Sequence, residues 1–302
     1  MNLDDLKVFT TVARSSSLAA AAHELNQTAS ALSKAIRRLE ADIGTPLFDR
    51  TSKQLSLNRS GVTLLPRALQ LLRFSEQTRS ELMGADARVH CRIAAPAMLL
   101  WRFGESFSRS LIADFPDCAI SLKPMFEDAA LAALGNGEVD FACVTAAVVT
   151  PPNKHWQAHW QADALGNLNM QLSAASGHAL ALLERPASTA EVLQHDFVCP
   201  PRSLLCGVVR GAHSDGWRDD QLPRRIRYWV DDLQVLLALV KSGAALAYLP
   251  EFALSDPQLK RIEVSDCPYT CSEQLFLVHA PTQASGWHKR LLQRVLADQQ
   301  RH

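Results

Sequence analysis

Apolar and polar residues alternate with helical periods through the first 60 positions, and short polar breaks separate the runs. Four apolar residues lie on one face of a first helix predicted over 3–14: Leu3, Leu6, Phe9 and Val12. Serines 15–17 end this run, and an alanine-rich segment over 18–25 predicts a short second helix. Asn26 and Gln27 form a turn, after which Thr28 is placed to cap a third helix.

The third helix is amphipathic in an unusual way. At 100° per residue its apolar side chains share one face, namely Leu32, Ala35, Ile36 and Leu39. The opposite face carries only small or basic residues: Ser30, Lys34 and Arg37, with Ser33 and Arg38 on the flanks. A helix, a short turn and a second helix with such an outer face predict a helix-turn-helix, whose exposed face must fit a DNA groove about 12 Å wide.

Two short strands, over 48–50 and 54–57, are predicted directly after this helix. They would form a wing that carries Arg50 and Lys53 towards flanking phosphates. A solvated amphipathic helix is the simpler interpretation of the third helix alone, but the wing favours DNA binding.

The segment from Ala13 to Gly61 resembles the winged helix-turn-helix of the LysR-type transcriptional regulators. The skeleton LxxxIxxLExxxGxxLFxR is met by Leu32, Ile36, Leu39, Glu40, Gly44, Leu47, Phe48 and Arg50. The family often has a polar residue where this chain has Ala29, so a direct contact to adenine is not expected there.

A long helix is predicted over about 59–84, with Pro66 bending it without ending it. Its apolar stripe consists of Leu64, Leu65, Ala68, Leu69 and Leu72, together with Leu71. The resemblance implies that this stripe is a dimerisation surface, and packing on the same chain is the alternative. Residues 84–87 are predicted to be a hinge.

The remainder of the chain alternates strand-like and helical patterns, which predicts an α/β region with parallel sheet. The candidate strands are 92–95, 119–124, 141–145, 169–174, 197–199, 225–230, 245–249, 260–264 and 274–279. The candidate helices lie near 98–114, 128–135, 204–213, 232–242 and 286–300.

Three further segments, at 113–122, 130–144 and 230–253, resemble the effector domain of the same family. The resemblance implies an all-α winged helix-turn-helix domain over 1–58, a linker helix and hinge over 59–87, and an effector region over 88–302. That region would consist of two Rossmann-like subdomains arranged as in a periplasmic binding protein. Subdomain I would comprise about 90–162 and 268–302, subdomain II about 163–267, with two crossing strands as hinge.

A small-molecule effector is expected between the two subdomains, at strand C-termini and helix N-termini. The expected lining is Pro96, Ala97, Met98, Met125, Phe126, Thr145, Pro200, Pro201, Arg202, Ser203 and Tyr248, with Pro250 at its edge. The Met, Phe and Pro side chains favour an apolar or aromatic ligand. Arg202 and Ser203 offer a place for a carboxylate, and the alternative is a lobe core that binds no ligand.

Composition adds little to the picture. The 302 residues have no net charge, although residues 1–85 carry 11 Lys and Arg against 8 Asp and Glu. The acidic start and short apolar runs predict neither a signal peptide nor a membrane span, so a cytoplasmic protein is expected. Seven cysteines without a Cys-x-x-Cys pair argue against a disulfide framework or a zinc site.

The sequence contains no motif for a cofactor, a metal or a catalytic site, so none of the three is expected. His155 and His159 have a spacing that metal sites use, but they alternate with Trp156 and Trp160 and are assigned to an irregular strand. Two alternatives stay open: a redox sensor that uses Cys199 and Cys206, and an enzyme fused to a DNA-binding domain. The resemblance implies double-stranded DNA, RNA polymerase and further copies of the chain as partners, with a tetramer favoured over a dimer.

Overall fold

The computed structural model describes residues 1–49, 56–83, 89–209, 217–281 and 286–299. The helices are α1 Leu3–Arg14, α2 Leu18–Glu24, α3 Ala29–Ile43, α4 Arg59–Met83, α5 Ala97–Ile112, α6 Glu127–Gly135, α7 Thr189–Val192, α8 Leu233–Lys241 and α9 Gly286–Gln299. The strands are β1 Phe48–Asp49, β2 Ser56–Leu57, β3 His90–Ala95, β4 Ala119–Pro124, β5 Phe141–Thr145, β6 Gln161–Ala175, β7 Asp196–Cys199, β8 Arg225–Trp229, β9 Ala247–Pro250, β10 Leu259–Arg261 and β11 Cys271–His279.

Side-chain caps set the boundaries of the N-terminal helices. The Ser17 hydroxyl accepts a hydrogen bond from the backbone N–H of Ala20 at the start of α2. The Thr28 hydroxyl accepts one from Ala31 at the start of α3, as the sequence predicts. Gly44 ends α3 in the left-handed region at φ 79°, which a residue without a Cβ adopts freely.

The predicted wing strands pair as an antiparallel ladder in which Phe48 lies opposite Leu57. Arg50 and Lys53, which would lie at the tip, fall outside the described residues, and so does the predicted hinge at 84–87. The Phe9 and Phe48 rings meet edge to face at 5.7 Å, which attaches the start of the wing to α1.

The linker helix α4 continues through Pro66, as predicted. Its central apolar side chains pack on the N-terminal domain of the same chain, next to the core that includes Leu6 and Phe9. They are Leu64, Leu65, Ala68 and Leu72, while Leu69 is also buried. Three other apolar side chains of α4 face solvent: Leu71, Phe74 and Leu82 are 41%, 66% and 82% exposed.

Asp5 joins α1 to α3 through an ion pair. Its carboxylate accepts hydrogen bonds from Arg38 Nε at 3.2 Å and from an Arg38 terminal nitrogen at 2.6 Å. Only 4% of the Asp5 side chain is exposed, whereas Arg38 reaches it from the surface. A buried carboxylate needs such a partner, because losing hydration without compensation is costly.

The C-terminal region contains a seven-stranded mixed sheet within the described residues, in the order β10-β6-β11-β5-β3-β4, with β9 also paired to β6. The β3 strand runs parallel to β4 and β5, but β11 and β6 run antiparallel to their neighbours. The predicted parallel sheet is therefore only part of the arrangement. A parallel pair, β7 and β8, forms a separate small sheet, and a bridge between Phe197 and Leu246 links it to the segment just before β9.

One strand, β6, is shared by two lobes. Its first part pairs with β11 over nine residue pairs, and its last part pairs with β9 and β10. Opposite Leu275 and Phe276 the register shifts, leaving Leu165 as the extra residue beside Gly166 at φ 93°. We call β6 and β11 the crossing strands, because separate hydrophobic cores lie at their two ends.

Two local predictions were wrong. Residues 204–209, the described part of the helix predicted near 204–213, form a turn, because Ser203 caps the loop and Gly207 takes φ 71°. Residues 151–160 form turns and not the irregular strand predicted around His155 and His159. The Trp156 and Trp160 rings contact each other at 5.7 Å and join the core below the sheet.

The Arg38–Asp5 pair predicts opposite roles for two adjacent arginines. Arg38→Ala should speed amide hydrogen exchange in α1 and α3, because the Asp5 carboxylate stays buried without a partner. Arg37→Ala is the matched control and should leave the protection of both helices unchanged. Equal exchange rates in the two variants would contradict the assignment of Arg38 to the fold.

Candidate functional site

One face of α3 is buried in the N-terminal domain, and the opposite face is exposed to solvent. Its inner face is almost inaccessible, with Leu32 and Leu39 at 0% exposure. The residues that face solvent include Ser30, Lys34 and Arg37, and Ser33 is half-buried. The Thr28 hydroxyl is occupied by the helix cap.

Lys34 and Arg37 differ from Arg38 in their interaction partners. Among the described residues neither makes an ion pair, so both cations keep their full capacity to donate hydrogen bonds. Guanidinium and ammonium groups bind phosphate oxygens, and Arg also matches the acceptor pair of guanine. This face therefore offers a serine and two cations without ion-pair partners among the described residues, all within about two helical turns.

A second candidate site is a cavity of about 50 Å³ between the lobes. The crossing strands supply Leu168, Met170, Cys271 and Glu273. The other lining residues come from α5, the 200–205 loop, α8 and β9, and are Met98, Pro200, Arg202, Ser203, Leu204, Leu205, Leu233, Leu236, Tyr248, Leu249 and Pro250.

The expected lining is only partly present in this cavity. Five of the expected residues line it, as does the edge residue Pro250: Met98, Pro200, Arg202, Ser203 and Tyr248. Met125 packs in the core below the sheet instead. The lining also excludes Pro96, Ala97, Phe126, Thr145 and Pro201.

Sequence reasoning missed the crossing-strand residues because the family pattern places ligands in loops. A usable signal existed, since Cys271, Glu273, Leu275 and Leu277 alternate with residues on the other face. A Glu in that series is an anomaly, because Leu275 and Leu277 belong to the lobe core. The alternation alone, however, does not reveal which face is covered by the other lobe.

The loop from 202 to 209 closes the cavity. The Ser203 hydroxyl accepts hydrogen bonds from the backbone N–H groups of Leu205 and Cys206 at 3.2 and 3.3 Å. Across the cleft, the N–H of Glu127 donates to the Leu205 carbonyl at 3.2 Å. The Phe126 ring packs so closely on Gly207 that an added Cβ would lie 2.6 Å from it.

Glu127 is a buried carboxylate beside this closure. Its Oε1 accepts a hydrogen bond from the Thr145 N–H at 2.6 Å, and the residue is 1% exposed. Burial raises the pKa of Glu127, and the charges of Glu273 and Asp128 raise it further, against the hydrogen bonds from Thr145. Thr145 therefore holds an acidic group behind the cavity wall and does not line the cavity.

None of the seven cysteines, all of which lie in the described ranges, forms a disulfide bond. Cys199 is buried at the end of β7, whereas Cys206 is exposed on the closing loop. Burial raises the pKa of Cys91 and Cys143, which disfavours the thiolate form that reacts with oxidants. The redox alternative for Cys199 and Cys206 stays a prediction.

The described residues contain no group of three or more His, Cys, Asp and Glu side chains arranged to hold a metal ion. Among the described helices, none combines the length and the apolar character needed to cross a bilayer.

Comparison with protein families matches almost the whole chain. The family described as "Bacterial regulatory helix-turn-helix protein, lysR family" matches residues 3–62. The family described as "LysR substrate binding domain" matches residues 85–299, which is more than half of the chain.

Curated relatives carry regulator names. The uncharacterized HTH-type transcriptional regulator y4mQ of Sinorhizobium fredii is 39% identical over 102 residues, covering 33% of this chain and 34% of that protein. The HTH-type transcriptional regulator TfdT of Cupriavidus pinatubonensis is 28% identical over 142 residues, covering 46% of this chain and 62% of that protein. The match thus spans less than two thirds of each of these relatives.

Solved structures share the fold along the entire chain. ArgP from Mycobacterium tuberculosis has a TM-score of 0.67 at 19% identity, covering 98% of this chain and 96% of that one. Full-length LysG from Corynebacterium glutamicum with bound effector Arg has a TM-score of 0.62 at 18% identity, covering 100% and 99%. The full-length regulator architecture is therefore the fold of this chain.

The closing loop yields a prediction with two glycine controls. Gly207→Ala should speed hydrogen exchange at the Glu127 amide, since the methyl group collides with Phe126 and the positive φ adds strain of about 1–2 kcal/mol. Gly243→Ala carries only the φ strain, and Gly177→Ala meets neither obstacle. Unchanged exchange at Glu127 in Gly207→Ala would contradict the contact across the cleft.

Proposed function

The chain belongs to the LysR family of bacterial helix-turn-helix regulators, and we propose that it binds operator DNA and regulates transcription in response to a small molecule. The observation that carries the proposal is the outer face of α3, where Lys34 and Arg37 are exposed and free of ion pairs among the described residues. We infer further that the protein acts in the cytoplasm, where bacterial DNA lies, and that it catalyses no reaction.

In the proposed complex α3 enters the major groove. Ser30 lies in the first turn of the helix, where partial positive charge favours phosphate, and Lys34 and Arg37 follow about one and two turns later. Ser33 and the backbone near Thr28 are further contacts, and Arg50 and Lys53 are assigned to the wing. Arg38 is assigned to the fold, because its Nε and one terminal nitrogen already donate hydrogen bonds to Asp5.

A second copy of the chain is the proposed partner of α4. Leu71, Phe74 and Leu82 recur on one side of this helix and are exposed, whereas the stripe through Leu65 and Leu72 packs on its own chain. Large apolar side chains exposed in a row indicate a protein interface. Pairing two copies would hold two recognition helices at a fixed spacing on palindromic DNA.

The effector is proposed to bind in the cavity between the lobes. About 50 Å³ is far below the roughly 300–1,000 Å³ of typical ligand sites. A ligand would therefore displace Leu204 and Leu205 and open the loop that closes the cleft. Because the loop connects the lobes, a ligand that prefers one loop position would also favour one lobe arrangement.

We propose the domain limits 1–58, 59–87 and 88–302 for this mechanism, with 163–267 as the second lobe.

The DNA proposal is tested with duplexes selected from a random pool by the wild-type chain. Arg37→Ala should weaken binding of the selected sequence by about tenfold or more, because a bidentate base contact or a phosphate contact is lost. For a phosphate contact, the slope of log affinity against log salt should also fall by about one. Arg261→Ala, which removes an exposed arginine of the second lobe, is the charge-matched control. Equal affinity of the Arg37→Ala variant at fixed salt would refute the recognition face.

The interface on α4 is tested by sedimentation equilibrium at micromolar concentration. Phe74→Glu and Leu82→Glu should lower the assembly state, because each places a charge where apolar side chains would meet. Val62→Glu is the control, since Val62 is 60% exposed on a different side of the same helix. A monomeric wild-type chain would end the proposal.

A further inference from the structure

A carboxylate occupies an apolar position of a crossing strand. Along β11, residues 271, 273, 275 and 277 face the same side, and Leu275 and Leu277 are both 1% exposed in the core of the first lobe. Glu273 lies in this series, opposite Leu168 in the β-ladder. Packing alone favours an apolar residue there, so the charge at this position needs another explanation.

Glu273 has no hydrogen-bond or ion-pair partner among the described residues, although it is half-buried and lines the cavity. Glu127 is 1% exposed, and burial raises its pKa, with the charge of Glu273 as a smaller cause in the same direction. Glu273 is therefore the carboxylate that lines this cavity, and without a partner among the described residues it favours a cationic group beside it.

Arg202 supplies the opposite charge from the closing loop. It lines the same cavity and forms no ion pair with Glu273 or with any other described residue. The nearby Ser203 hydroxyl already accepts from two loop amides, so Arg202 is the strong donor left in the loop. The rest of the wall is largely aliphatic and sulfur-containing, including Met98, Leu168 and Met170.

We propose that this cavity binds a zwitterionic ligand of amino-acid type with a compact apolar side chain. Its ammonium group would pair with Glu273, its carboxylate with Arg202, and its side chain would lie against Met98, Leu168 and Met170. The inference rests on the proposed effector function and deepens it by naming the ligand class.

Other ligand classes leave part of the cavity unsatisfied. A simple carboxylate would pair with Arg202 but leave Glu273 unpaired and bring a second negative charge into the same cavity. A neutral aromatic molecule would pair with neither residue. In both cases the half-buried Glu273 would be covered without a partner, which is the costly outcome.

The test compares three probes that share one aliphatic body, using isothermal titration calorimetry on the full-length chain. The probes are L-leucine, 3-methylbutylamine, which lacks the carboxylate, and 4-methylpentanoate, which lacks the amine. L-Leucine should bind most tightly, with each truncated probe weaker by about tenfold or more, because a hydrogen bond to a charged group is lost.

Two variants assign the charges. Glu273→Gln should weaken L-leucine and 3-methylbutylamine but not 4-methylpentanoate, and without ligand it should unfold at a higher temperature because an unpaired carboxylate is removed. Arg202→Gln should weaken L-leucine and 4-methylpentanoate but not the amine. Glu263→Gln and Arg261→Gln, at exposed positions of the second lobe, are the matched controls and should change nothing.

Three results would overturn the inference: 4-methylpentanoate binding as tightly as L-leucine, Glu273→Gln leaving L-leucine binding unchanged, or no binding of any probe. Operator binding is measured on the same samples. A chain that binds DNA but none of the probes disproves the ligand class alone, whereas a chain that binds no DNA disproves the proposed function.

Discussion

The hydrogen-bonded ladder between β6 and β11 is the constraint on which the C-terminal region depends. Each lobe has its own core, yet both cores are attached to the same 15-residue strand. Breaking this strand would expose backbone groups of both lobes at once, so the two lobes must keep a common register. The bulge at Leu165 gives the strand extra twist at one defined point without ending its pairing.

Much of the fold followed from periodicity. The boundaries of α1, β4 and β5 agree with the predictions, because each is a short apolar pattern bounded by a cap or a turn. The predicted helix at 204–213 failed because its composition suits a helix, whereas Gly207 and the hydroxyl of Ser203 stabilise a turn. Phe126 packs against Gly207 from 81 positions earlier in the sequence, a contact that no local pattern contains.

The candidate sites were predictable to different degrees. The outer face of α3 could be derived from the 3.6-residue period, and its exposed positions agree with that derivation. The period did not reveal that Arg38 pairs with Asp5, since the two are separated by 33 positions. In the cavity, Met98 and Tyr248 were accessible to family reasoning, but Leu168 and Glu273 required knowing which face of the crossing strands the two lobes cover.

The pairing of the crossing strands separates two tasks that many binding sites combine. Backbone hydrogen bonds hold the lobes together and are indifferent to side-chain identity, whereas the side chains at 168, 170, 271 and 273 determine what the cavity accepts. Substitutions at these four positions can therefore change ligand chemistry while the mechanical connection stays intact. An evolving lineage could acquire a new signal in this way without rebuilding its response to it.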